Sequence, residues 1–283
     1  MEITEHIEAL RRQGDLLAAA ATRSGLDASV PPCSPWQVKD LLRHTGYIHR
    51  WAARHIAECP DTVLDGPPEA DILGGGPPDP DLLAWFRAGH SALVETLSTA
   101  DPGLVCATFM DAPSSLAFWA RRQAHETAIH RADAESASGV RPEYEPDFAV
   151  DGIDELIMGF GQRRKYRPSA DGDVSMQVRV TDTGHAWHVG TEGGRLQARR
   201  EDGGLLQADR EDGGPDSASP DPASPDSASP DSASPAACTV TGPASGLYLF
   251  LWHRSDAAQA SVTISGDVSF LDVWQSSVRV RWS

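Results

Sequence analysis

Lysine is almost missing from this chain: Lys39 and Lys165 are the only two, and arginine carries the rest of the positive charge. Acidic residues outnumber basic ones 41 to 24, giving a formal net charge of −17. A surface of that sign repels nucleic acid and anionic membranes, so neither is expected as a partner. No apolar run approaches the roughly 18 residues of a membrane span. The opening MEITEHIEALRRQGD lacks the basic and then apolar regions of a secretory signal, so the expectation is a soluble, cytoplasmic protein. The four cysteines, at 33, 59, 106 and 238, are far apart and form no CxxC pair, which argues against a disulfide framework or a thiolate zinc site.

What is present, in 283 residues of ordinary 40% hydrophobic content, is enough chain for two modest domains, the first of them helical. Ile3, Ile7, Leu10, Leu17 and Ala21 share one face of a helix over 3–24, weakened slightly by Gly14. Ser34-Pro35-Trp36-Gln37 reads as a helix start, with Ser34 as cap and proline at the first helical position, and the helix runs to about Glu58. Residues 65–80, rich in glycine and proline, read as a loop. Another helix runs from about 79 or 80 to 100, and a further one from Phe148 to about Arg163.

The stretch from Ser115 to Ser138 carries unusual residues on its apolar side. Leu116, Trp119, Gln123, Glu126, His130 and Asp133 recur at steps of three and four, so a carboxylate and an imidazole point inward. A buried carboxylate needs a cation, a hydrogen-bond network or a metal. Glu126 and His130, four apart and about 40° around a helix, can converge on one ion. The segment HETAIH is not the HExxH of a zincin, because its histidines are five apart. A catalytic zinc takes three protein ligands and keeps one position open, so a third ligand must come from elsewhere. His44, between Leu41 and Ile48 on the helix that runs to about Glu58, is best placed, with His49 and His55 as weaker alternatives. Without a metal, Glu126 would pair with Arg43 or Arg122 and His130 would be a packed core histidine. Asp133 and Arg131 could orient the ligands or be helix-surface charges, the latter favoured for Arg131.

After Arg167-Pro168 the apolar period changes to two. Strands are expected at 174–180, 186–189, 195–198 and 239–241, then a helix at 243–254, a strand at 260–265, a short helix at 268–274 and a last strand at 278–282. Trp187, Trp252, Trp274 and Trp282 are expected in the core. Residues 201–236 repeat EDGG and SPD-type units and are expected to be a disordered acidic insertion.

Three blocks, PWQVKDLLRHTGYIHRW, FWARRQAHETAIHRADAE, and TVTGPASGLYLFLWHR with ISGDVSFLDVW, resemble those of the mycothiol-dependent maleylpyruvate isomerase family, within the DinB-like metalloenzymes. The resemblance implies an N-terminal DinB-like helical bundle, residues 1–166, and a smaller α+β domain similar to sterol carrier protein 2, residues 167–283, with the insertion at about 200–236. It implies a divalent metal, usually zinc, on His44, Glu126 and His130, mycothiol as thiol cofactor, and a catalytic role for Arg254. The expected activity is addition of a zinc-activated thiolate to an electrophilic or carboxylate substrate, as in cis–trans isomerisation of maleylpyruvate. A mycothiol S-transferase and a non-catalytic metal-binding sensor are the alternatives.

Overall fold

The computed structural model describes residues 1–163, 174–192, 195–201, 236–278 and 280. The expected insertion at about 200–236 lies almost wholly outside the described residues, as does the proposed boundary at 166/167.

The first half is helical. α1 (Ile3–Ser24) starts where Glu5 Oε2 takes the backbone N–H of Glu2 at 2.7 Å. α2 (Val38–Glu58) starts three residues later than Ser34-Pro35 suggested. Pro31–Cys33 form a 3₁₀ turn and the Ser34–Pro35 bond is cis. The helix is instead opened by Asp40, whose Oδ2 accepts the Gln37 N–H at 2.9 Å, while the Gln37 amide reaches Asp27 O. Trp36 is thereby left outside the helix, its ring 5.0 Å from that of His44. The glycine- and proline-rich stretch is not wholly a loop: α3 (Glu69–Gly74) interrupts it, held down by buried Ile72.

α4 (Asp79–Thr99) and α5 (Ser115–Ser136) complete the main helices. Ser114 Oγ caps α5 by accepting from Ala117 N at 3.1 Å. Eighteen of its 22 residues are buried, so α5 has no solvent face. Alanines at 120, 124, 128, 132 and 134 keep it slim enough to be enclosed. α6 (Pro146–Asp154) is shorter than the expected helix, passing into a π turn (Glu155–Gly159) and a 3₁₀ turn (Phe160–Gln162).

Among the described residues the second half is a five-stranded mixed sheet with two helices. β1 (Ser175–Val180) pairs antiparallel with β2 (Ala186–Glu192), which pairs antiparallel with β3 (Arg195–Glu201). β4 (Cys238–Gly242) pairs parallel with β1 and antiparallel with β5 (Thr263–Gly266), giving the order β3-β2-β1-β4-β5. Met176, Val178, Val189 and Val240 alternate into the core, with α7 (Ala244–Leu251) and α8 (Ser269–Ser277) packed nearby. The expected last strand does not form at its described residues: Val278 and Val280 lie outside any strand, and 279 and 281–283 are outside the described residues. Trp187, Trp252 and Trp274 are buried as expected; Trp282 is outside the described residues. Among the described residues no helix is long and apolar enough to cross a membrane.

Candidate metal centre

His44 on α2 and Glu126 and His130 on α5 meet at one point, one ligand atom of each lying within 4.8 Å of the others. His130 Nε2 is 3.2 Å and His44 Nε2 3.7 Å from the same carboxylate oxygen, Glu126 Oε1. All three residues are buried. Burial alone would raise the Glu126 carboxyl, but hydrogen bonds from His130 and His44 and the Arg122 charge hold it well below its usual range. Burial lowers His44, favouring the neutral imidazole that a metal requires.

The non-metal alternative is also present, on the other oxygen. Arg122 Nη2 donates to Glu126 Oε2 at 2.9 Å, while its Nη1 donates to Glu155 Oε2. Arg43, the other expected partner, is engaged by Asp79 instead. The ion pair therefore leaves Oε1 directed at the two imidazoles, and the donor set of two nitrogens and one carboxylate oxygen fits a borderline divalent ion.

Behind His130 stands Asp133, whose Oδ2 is 2.9 Å from His130 Nδ1. A carboxylate on Nδ1 fixes the tautomer that presents Nε2, the arrangement of ligating histidines. Although burial opposes the imidazolium, Asp133 and Glu126 raise His130 to about 9, so a metal arriving there must displace a proton. Arg254 neutralises Asp133 through Nε at 2.9 Å and Nη2 at 3.0 Å, and its Nη1 donates to Trp252 O. Cys33 Sγ lies 3.8 Å from Arg254 Nη2; burial and the Asp133 charge push this thiol up to about 12.

The remaining histidines have other duties. His49 Nε2 meets Thr127 Oγ1 at 2.9 Å, and His55 is held between Trp51 O and the Leu64 N–H. Neither belongs to the trio. Arg131 is not a surface charge: it is buried, with Nη1 3.0 Å from Gln13 Oε1 and Nε 3.2 Å from Glu135.

His125, His6 and Asp151 form a second convergent group, with both Nε2 atoms within 3.0 Å of Asp151 Oδ1. Protons satisfy this one. Arg121 Nε also donates to Oδ1 at 2.9 Å, and the Tyr248 hydroxyl donates to His125 Nδ1 at 3.1 Å, so the ring's other N–H points at Asp151. It fastens α1, α5, α6 and α7 together. The sequence placed His125 off the stripe without showing this partner set, because its neighbours His6, Asp151 and Tyr248 lie 119 residues before it and 26 and 123 after it.

Two cavities open at the trio. One, of about 840 Å³, is walled by Tyr47, Ile48, Trp51, Leu64, Phe109 and Phe160; the other, of about 350 Å³, includes Cys33, Trp36, His130, Trp252 and Arg254. His44 and Glu126 line both.

The helical region joined to a small mixed sheet matches the fold of a solved maleylpyruvate isomerase. Two solved structures, of the mycothiol-dependent maleylpyruvate isomerase and of a histidine-to-alanine variant of it, match with TM-scores of 0.58 and 0.60. Each is 12% identical, and each match covers 100% of this chain and 98% of the other. Residues 7–135 match the model of the mycothiol maleylpyruvate isomerase N-terminal domain. No curated protein matches the chain in sequence.

Proposed function

We propose that this protein is a cytoplasmic enzyme that uses a divalent metal, zinc, and a low-molecular-weight thiol, mycothiol, to attack an electrophilic small molecule. The observation that carries this is the convergence of His44, Glu126 and His130 with Asp133 set behind His130. Its bundle is of the DinB-like type and its sheet region of the sterol-carrier-protein-2-like type, as two domains.

When bound, zinc supplies an open coordination position and Lewis acidity that favours the thiolate over the thiol near neutral pH. The chain does the rest. Asp133 keeps His130 Nε2 turned to the ion, and Arg122 cancels the second oxygen of Glu126. Arg254, at the wall of the smaller cavity, keeps one Nη1 N–H beyond those given to Asp133, Cys33 and Trp252 and offers it to a substrate carboxylate. In an isomerisation the thiolate sulfur bonds to one carbon of a cis double bond and the electron pair moves to the conjugated carbonyl. Rotation about the new single bond and loss of the same sulfur return the trans isomer. S-transfer shares the first bond-forming step, and the volume and apolar walls of the larger cavity favour it as the second reading.

The test is metal content and thiol-dependent turnover in the wild type and in His44→Ala, Glu126→Ala and His130→Ala. About one zinc per chain, lost in each variant together with thiol consumption by a reactive electrophile, is the expected result. A folded wild type that takes up no zinc would remove the basis of the proposal, and zinc binding without thiol consumption would leave a sensor.

A further inference from the structure

The larger cavity has a charge pattern of its own. Among the described residues two guanidiniums stand on its wall, and Arg122 is committed to Glu126 and Glu155. Arg163 is different. It stacks 5.1 Å from the Phe109 ring centroid and 6.0 Å from that of Phe160, and among the described residues no carboxylate pairs with it. Among the described residues two acidic groups, Asp65 and Glu69, are exposed at the rim, while Glu126 at the floor is answered by Arg122.

A small dianion would place two carboxylates where, among the described residues, one uncommitted cation faces the two rim acids, and would leave most of about 840 Å³ unfilled. An apolar body gains by leaving water for walls of Ile48, Trp51, Phe109 and Phe160. A single anionic group gains by meeting a guanidinium already stacked on aromatic rings.

We infer that the larger cavity takes an electrophile with an extended apolar, aromatic body and one anionic group, the anion at Arg163 and the body against Trp51, Phe109 and Phe160, in place of a small dicarboxylate. That the occupant is an electrophile rests on the proposed function; the binding preference itself does not depend on turnover. Arg163 is on this reading a specificity residue, reading charge at a distance from the reacting atoms.

The test uses 8-anilinonaphthalene-1-sulfonate, an aromatic monoanion, as a fluorescent probe of the metal-loaded full chain. Cinnamate, maleate and benzyl alcohol are the competitors. Cinnamate is expected to displace the probe at a concentration about tenfold lower than maleate. Arg163→Gln is expected to weaken cinnamate about tenfold and to leave benzyl alcohol unchanged, as loss of one charge-assisted hydrogen bond would do. Phe109→Leu, checked for fold by circular dichroism, is expected to weaken all three aromatic ligands. Displacement by maleate at equal or lower concentration than cinnamate would overturn the assignment, as would cinnamate binding unaltered in Arg163→Gln. Absence of thiol turnover with this order of affinities intact would count against the proposed function and leave the cavity assignment standing.

Discussion

Arg254 meets Asp133 through two nitrogens, at 2.9 and 3.0 Å, across 121 residues of sequence. The arginine comes from the turn that follows α7 and the aspartate from the helix that carries Glu126 and His130. The carboxylate is fully buried and held well below its usual range: burial opposes the charge, but Arg254 and His130 outweigh it.

Asp133→Asn keeps the shape of that link but withdraws the charge behind His130. Zinc affinity should fall about 10- to 100-fold, the usual cost of removing a carboxylate that supports a ligating histidine. Competition with a fluorescent zinc chelator measures it; unchanged affinity would mean that Asp133 does not support the ligand.

Tyr248→Phe provides the contrasting case. It leaves His125 Nδ1 buried without its donor, so stability should drop by about 1–3 kcal/mol while zinc affinity stays as in the wild type. Urea unfolding beside the same zinc titration separates the two effects. Weakened zinc binding would show that the His125 group and the metal centre are coupled.

Gly14→Ala tests packing against propensity. In an isolated helix alanine should be favoured by about 1 kcal/mol. Here the added methyl would run into the buried His90 ring, whose Nε2 lies 3.0 Å from Leu10 O. The ring must move and lose that bond, so destabilisation by about 1–3 kcal/mol is expected in a thermal or urea melt. A gain in stability would show that the α1–α4 crossing is loose.

Glu155→Gln tests a buried proton. Burial raises this carboxyl from 4.5 to about 7 despite the pull of Arg122 and Arg121. A carboxyl raised on folding binds its proton more tightly in the folded state. Its contribution is therefore complete below pH 4.5 and is lost as pH rises through about 7. The neutral amide carries no such dependence, so the variant should gain on the wild type between pH 5 and pH 8 in urea midpoints. The opposite trend would place an ionised Glu155 in the native state at both pH values.

The trio was legible because helix periodicity is local: Glu126 and His130 are neighbours through one turn, and His44 stood on the inward edge of a separate amphipathic pattern. The same logic gave α1 its bounds and the alternating residues of β1 their faces. What periodicity could not show was which distant groups answer the buried charges. Arg122 was visible as a candidate for Glu126, one turn away. That Arg254 would close on Asp133, or Tyr248 on His125, depends on how the second half folds back. The start of α2 was misplaced because Ser34-Pro35 has the residue types of a cap, whereas Asp40 takes the N–H that needs one. Helix α3 was hidden in glycine and proline, and only Ile72 gives it something to bury.

Because α5 is enclosed on every side, its amides reach solvent only when neighbouring elements come away together. Hydrogen exchange there should be among the slowest in the chain and should report global opening. The segment that carries Glu126 and His130 would then be the last to loosen during thermal or chemical stress. Traffic of small molecules to Glu126 and His130 must pass through the side chains and turns that line the cavities, with the helix itself held still.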